Sequence, residues 1–110
     1  MKMSKDLVKG STGLLVLSVI AEQDMYGYQI IQLIDARSEE VFKLNEGTLY
    51  PILHALEKEG LTESYRAMSD CGRERKYYRI TPSGALWLSA KKAEWSTFAE
   101  AVQRVIGAER

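Results

Sequence analysis

Residues 45–61, NEGTLYPILHALEKEGL, constrain the fold more than any other segment, because both their ends and both their faces are chemically marked. Leu49, Ile52, Leu53 and Leu56 recur at i, i+3, i+4 and i+7, the spacing of one apolar helix face. Asn45 is a good capping residue for such a helix. Pro51 lacks an N–H and is tolerated only near a helix start, so the spacing predicts regular helix from near Gly47. Gly60 is expected to take the left-handed conformation that ends a helix, with the apolar Leu61 behind it. At 100° per residue the opposite face carries Gly47, Pro51, His54 and Lys58, flanked by Thr48 and Tyr50. Such a helix can lie on a core and still present polar groups to something outside.

The flanking segments supply that core. Residues 12–22 are predicted as a first helix, capped by Ser11 or Thr12, with Leu14, Leu15, Leu17, Ile20 and Ala21 giving it a wide apolar face. Residues 27–37 are predicted as a second, with Ile30, Ile31, Leu33 and Ile34 as its buried stripe. After Leu61, the runs 61–68 and 75–80 are joined by Ser69-Asp70-Cys71-Gly72-Arg73, a turn-rich joint that predicts a two-stranded hairpin. Alternation places Arg75, Tyr77 and Arg79 on one side of the second strand, and Lys76 with Tyr78 on the other. Thr81 caps, and Pro82 opens, a long last helix reaching about Val105. Leu88, Trp95 and Val102 recur every seven residues along it, as do Phe98 and Val105. The last helix of a small domain has few neighbours left, so this seam is expected to face another chain.

Charge and size exclude several classes. The 110 residues make one domain, divided into a head (1–80) and a C-terminal helix (81–110) of the same compact unit. Formal net charge is zero, yet positive charge gathers at Lys2, Lys5 and Lys9 and again at Arg73, Arg75, Lys76 and Arg79. Phosphate contacts need a local basic face, not a basic chain. The longest apolar run, 14–21, is too short to span a bilayer. Residues 1–6 do not lead into a cleavable apolar segment, so a cytoplasmic location without membrane attachment is expected. The single cysteine, Cys71, leaves no disulfide framework and no zinc cluster. Its neighbours Arg73 and Arg75 could lower its pKa, against the blander reading of an exposed thiol. His54 has neither metal-ligating partners nor a nucleophile beside it. With no phosphate-cradling glycine loop either, no enzymatic activity and no cofactor are expected.

Three helices followed by a hairpin is the order of a winged helix-turn-helix, here mainly α with a β-hairpin and a long C-terminal dimerisation helix. A helix with one buried and one polar face can enter a DNA major groove, while a basic hairpin reaches neighbouring backbone. Thr48, Tyr50 and His54 can bond phosphates or base edges, and Arg73, Arg75 and Lys76 can neutralise phosphates. Asn45 and Lys58, at the two ends of the same helix, complete the expected DNA-contacting set. The competing reading is a winged-helix module that binds proteins or ligands without DNA, favoured by the zero net charge and by the acidic Glu57 and Glu59.

The segments Met25-Tyr26-Gly27-Tyr28-Gln29-Ile30, Gly47-Thr48-Leu49-Tyr50-Pro51, Leu56-Glu57-Lys58-Glu59-Gly60-Leu61 and Arg75-Lys76-Tyr77-Tyr78-Arg79-Ile80-Thr81, followed by Gly84, resemble the PadR family of transcriptional regulators, in its short subfamily with one C-terminal helix. The resemblance implies a recognition helix at 45–59 and a wing at 61–80. It implies a homodimer in which the last helix packs on the partner's first and last helices, through Leu14, Leu88, Trp95, Phe98, Val102 and Val105. It implies repression from a roughly palindromic operator on double-stranded DNA, with release by a small-molecule effector. Some short members stack flat hydrophobic ligands on a tryptophan placed like Trp95.

Overall fold

The computed structural model describes residues 11–107, and the lysines at 2, 5 and 9 lie outside them. Its elements are α1 (Thr12–Ile20), β1 (Met25–Tyr26), α2 (Gly27–Arg37), α3 (Glu46–Lys58), β2 (Thr62–Met68), β3 (Glu74–Ile80) and α4 (Pro82–Ile106). The α2 bounds coincide with the expectation, and α3 begins one residue earlier than its proline suggested. Helix α1 stops two residues short of the expected Glu22. The Glu22 amide reaches only the Val19 carbonyl, at 3.2 Å, so the last turn tightens to three-residue spacing.

The caps on α3 are those its sequence encodes. Asn45 Oδ1 accepts from the Thr48 amide at 2.9 Å. At the other end Gly60 has φ 79°. The Leu61 amide donates to the Leu56 carbonyl at 2.9 Å and the Gly60 amide to Glu57 at 3.0 Å, the paired bonds of a Schellman motif. Asn45→Ala is expected to lower stability by about 1 kcal/mol. Equilibrium urea unfolding checks this, and an unchanged midpoint would mean that water caps the helix equally well.

The core fills along α2 and α3 much as the stripes predict, but α1 turns a partly different face inward: Val16 and Val19 are buried, whereas Leu14 and Leu15 are half-buried and Ala21 is exposed. Val16, Leu17, Ile20, Ile30, Leu49 and Leu53 are almost wholly buried, joined by Ile34, Leu56, Leu61 and Tyr78. Leu14 is half-buried against this cluster.

Two features depart from the expected layout. The expected hairpin forms from β2 and β3 but gains a third strand: β1 pairs with the free edge of β3, Met25 opposite Tyr78 and Tyr26 opposite Tyr77, giving an antiparallel sheet of order β1-β3-β2. A two-residue strand has no periodicity to detect, and its pairing is fixed by a distant partner. The second departure is Leu88, expected in the exposed seam of the last helix. It is 5% exposed and belongs to the chain's own core, because the first turns of α4 lie against the head. The exposed stripe therefore starts further along, with Trp95, Phe98, Val102 and Val105.

The head-to-helix joint is tight. Thr81 Oγ1 donates to the Gly60 carbonyl at 2.7 Å and accepts from the Gly84 amide at 2.9 Å, while the Thr81 amide donates to the Leu61 carbonyl at 3.1 Å. The start of α4 is thereby bonded to the end of α3. No helix among the described residues is long and apolar enough to cross a membrane.

Candidate nucleic-acid interface

The buried stripe of α3 fixes what its other side can do. With Leu49, Leu53 and Leu56 facing inward, Thr48, Tyr50, Pro51, His54 and Lys58 are all exposed. Asn45 is exposed too, but its Oδ1 is already committed to the cap, which leaves its amide N–H groups to face outward. The ring of Tyr50 leans back across the first turn of α2: a Cβ at Gly27 would stand 2.6 Å from its hydroxyl oxygen. That glycine makes room for the phenol, which remains 37% exposed. Beneath it, burial chiefly, together with Tyr50 and Glu57, holds the Tyr78 phenol above its usual pKa. Glu57, one of the two acidic groups closing the helix, accepts from Ser64 Oγ at 2.9 Å, tying α3 to β2.

The hairpin separates its cations. Arg73 and Lys76 are exposed, and Lys76 lies over the Tyr78 ring at 5.6 Å. Arg79 is bonded through Nε to Glu63 Oε2 at 3.0 Å, so its charge is largely compensated. Arg75 is half-buried, and no ion pair to it is found among the described residues. Arg73, Arg75 and Lys76 thus differ from Arg79 in having no carboxylate partner among the described residues. At the tip, Gly72 takes φ 83°, and the Ser69 amide closes the turn onto the Arg73 carbonyl at 2.8 Å. The Cys71 thiol is held below its ordinary pKa, first by the Ser69 hydroxyl at 3.2 Å and then by Arg75.

The α4 stripe lies apart from these groups. Trp95 is 49% and Phe98 58% exposed, with ring centroids 5.8 Å apart. Together with Val102 and Val105 they form an exposed apolar stripe along one helix face. Tyr65 and Asp24 were not singled out from the sequence, and Tyr26 only as part of a family motif, yet the three pack around the strand that bears Arg75. The one legible hint was the alternation that puts Arg75, Tyr77 and Arg79 on a single face. Among the described residues no group of three or more His, Cys, Asp or Glu side chains could hold a metal ion.

Comparison with known proteins agrees with this architecture. Residues 16–90 match the transcriptional regulator PadR-like family. A protein of Lysinibacillus sphaericus is 38% identical over 97 residues, covering 88% of this chain and 89% of the relative. The transcriptional regulator Rv3488 of Mycobacterium tuberculosis is 34% identical over 80 residues, covering 73% and 71% respectively. Among solved structures, a PadR-like transcriptional regulator from Bacillus cereus superposes with a TM-score of 0.86 at 28% identity, over 96% of this chain and 100% of the other.

Proposed function

The chain belongs to the PadR-like family of transcriptional regulators, and from that premise we propose that it is a sequence-specific repressor acting as a homodimer on a roughly palindromic operator. The observation that carries this reading is the exposed polar face of α3, built opposite the buried Leu49, Leu53 and Leu56 and adjoining a hairpin whose Arg73, Arg75 and Lys76 have no carboxylate partner among the described residues. Thr48, Tyr50 and His54 read base edges from this helix, Asn45 and Lys58 flank them, and Arg73, Arg75 and Lys76 meet phosphates. The stripe of Trp95, Phe98, Val102 and Val105 joins the two copies, with Leu14 at its edge. A flat hydrophobic effector stacking at Trp95 between subunits would shift the angle of the two heads and release the operator. No step in this reading requires catalysis.

Fluorescence anisotropy of the protein against the duplex upstream of its own gene, with a scrambled duplex beside it, tests the reading at two salt concentrations. Preferential binding to the native duplex that weakens steeply with salt is expected, since a dimer displaces counterions from several phosphates. Lys58→Ala and Arg73→Ala should each reduce the slope of log affinity against log salt by about two, one for each subunit of the dimer, while leaving sequence preference intact. Tyr50→Ala should weaken the specific duplex more than the scrambled one. A folded dimer that ignores every duplex at low salt would overturn the proposal and favour a protein-interaction module. Glu57, whose charge had favoured that alternative, is tied inward to Ser64.

A further inference from the structure

The outer face of the sheet carries a row of rings. Tyr26, Tyr77 and Tyr65 occupy one rung across β1, β3 and β2. Tyr77 meets Tyr26 edge-on at 5.5 Å and stacks on Tyr65 at 5.7 Å with 14° between the planes. Arg75 and Arg79 sit two residues to either side of Tyr77 on the same strand face, and each covers a ring at the end of the row. The Arg75 guanidinium is 4.7 Å from the Tyr26 centroid, and that of Arg79 is 4.9 Å from Tyr65. The Tyr65 hydroxyl donates to Asp24, which anchors the row to the turn before α2.

The two arginines are alike in placement and differ in charge compensation. Glu63 neutralises Arg79. Arg75 has no carboxylate partner among the described residues, only the Cys71 thiol as a polar neighbour, and its Nε is buried without a hydrogen-bond acceptor. A cation held only by a ring face keeps its charge for an outside anion, whereas one paired with a carboxylate is already compensated.

We propose that Tyr26 is a positioning residue for Arg75: its ring, locked in the tyrosine row, holds the guanidinium ready for a DNA phosphate. The inference deepens the reading of Arg75 as a phosphate contact and rests on it. A free arginine side chain loses rotamer freedom on binding; one already stacked on a fixed ring loses less. Tyr26 contributes no charge of its own, so its effect on DNA must pass through Arg75.

A double-mutant cycle on the full chain tests this, with anisotropy against the same duplexes and the salt slope as second readout. Arg75→Ala is expected to weaken binding and lower the slope by about two, one for each subunit. Tyr26→Leu should weaken binding about two- to fivefold with the slope unchanged, the range expected of a cation–π contact. Tyr26→Phe, which keeps the ring, should bind like the parent, and Tyr26→Leu should add nothing in the Arg75→Ala background. Arg75→Lys keeps the charge but cannot lie flat on the ring, so it should bind more weakly than the parent, and it serves if Tyr26→Leu fails to fold. Additive losses in the cycle, a Tyr26→Phe variant as weak as Tyr26→Leu, or an Arg75→Lys variant equal to the parent would each overturn the inference while leaving the repressor reading standing. An Arg75→Ala variant that binds as tightly as the parent would remove the phosphate contact itself. Failure of the parent to bind any duplex is separate and strikes the repressor reading.

Discussion

Gly84→Ala is expected to destabilise the protein by about 3 kcal/mol, at the upper end of ordinary overpacking. A Cβ there would lie 2.1 Å from the Leu61 carbonyl oxygen and 2.8 Å from Ile80 Cγ1. The first of these is backbone, fixed by the Schellman turn on one side and by the Thr81 amide on the other. It cannot swing aside as a side-chain tip can, so the start of α4 would have to lift off the head. The sign of the result is informative. In an open helix alanine is favoured over glycine by about 1 kcal/mol, so stabilisation would show that the two segments do not touch as described. Urea unfolding followed by tryptophan fluorescence measures it directly. Against a total stability of about 5–15 kcal/mol, the loss is large enough to unfold part of the population at moderate temperature.

Replacing Trp95 and Phe98 together by alanine is expected to weaken self-association about a thousandfold while leaving the fold of the head intact. Two aromatic anchors at about 2 kcal/mol each account for that magnitude. The head should survive because neither ring is buried in its own chain. Sedimentation equilibrium would show a monomer at concentrations where the parent is dimeric, and operator affinity should fall with it, since one head can hold only one half-site. A variant that sediments as a stable dimer would refute the assignment of the stripe. Deletion of everything after Ser83 would be a poorer experiment, because it also removes Gly84 and Leu88 from the core. A truncated chain that unfolds would say nothing about association.

Leu88 illustrates how far a heptad pattern can be read. Leu88, Trp95 and Val102 share one period, yet the first is buried in its own chain and the other two are not. Periodicity defines a stripe along a helix but not where along its length the neighbour changes. The same holds for the sheet. The strands β2 and β3 were legible because a turn joins them and their residues favour extended backbone, whereas β1 is two residues long and pairs across a large gap in sequence. Charge behaves likewise. Arg75 and Arg79 are indistinguishable as letters, and only the register that sets Glu63 opposite Arg79 gives one of them a carboxylate partner that the other lacks among the described residues.

Local chemistry was therefore decided by the sequence itself: the Asn45 cap, the glycine stop at Gly60, the apolar stripes of α2 and α3, and the polar face opposite them. Each depends on backbone preference and side-chain spacing within a few turns, which the order of residues specifies without reference to anything distant. The family resemblance was legible for the same reason, since its motifs are these local devices in a fixed order. Tertiary structure alone decided that Gly84 abuts a carbonyl from Leu61, that Gly27 makes room for Tyr50, and that Tyr26 lies beneath Arg75. Those contacts join residues far apart in the chain, and they form because burying the shared core brings their elements together, not because any segment prefers them on its own.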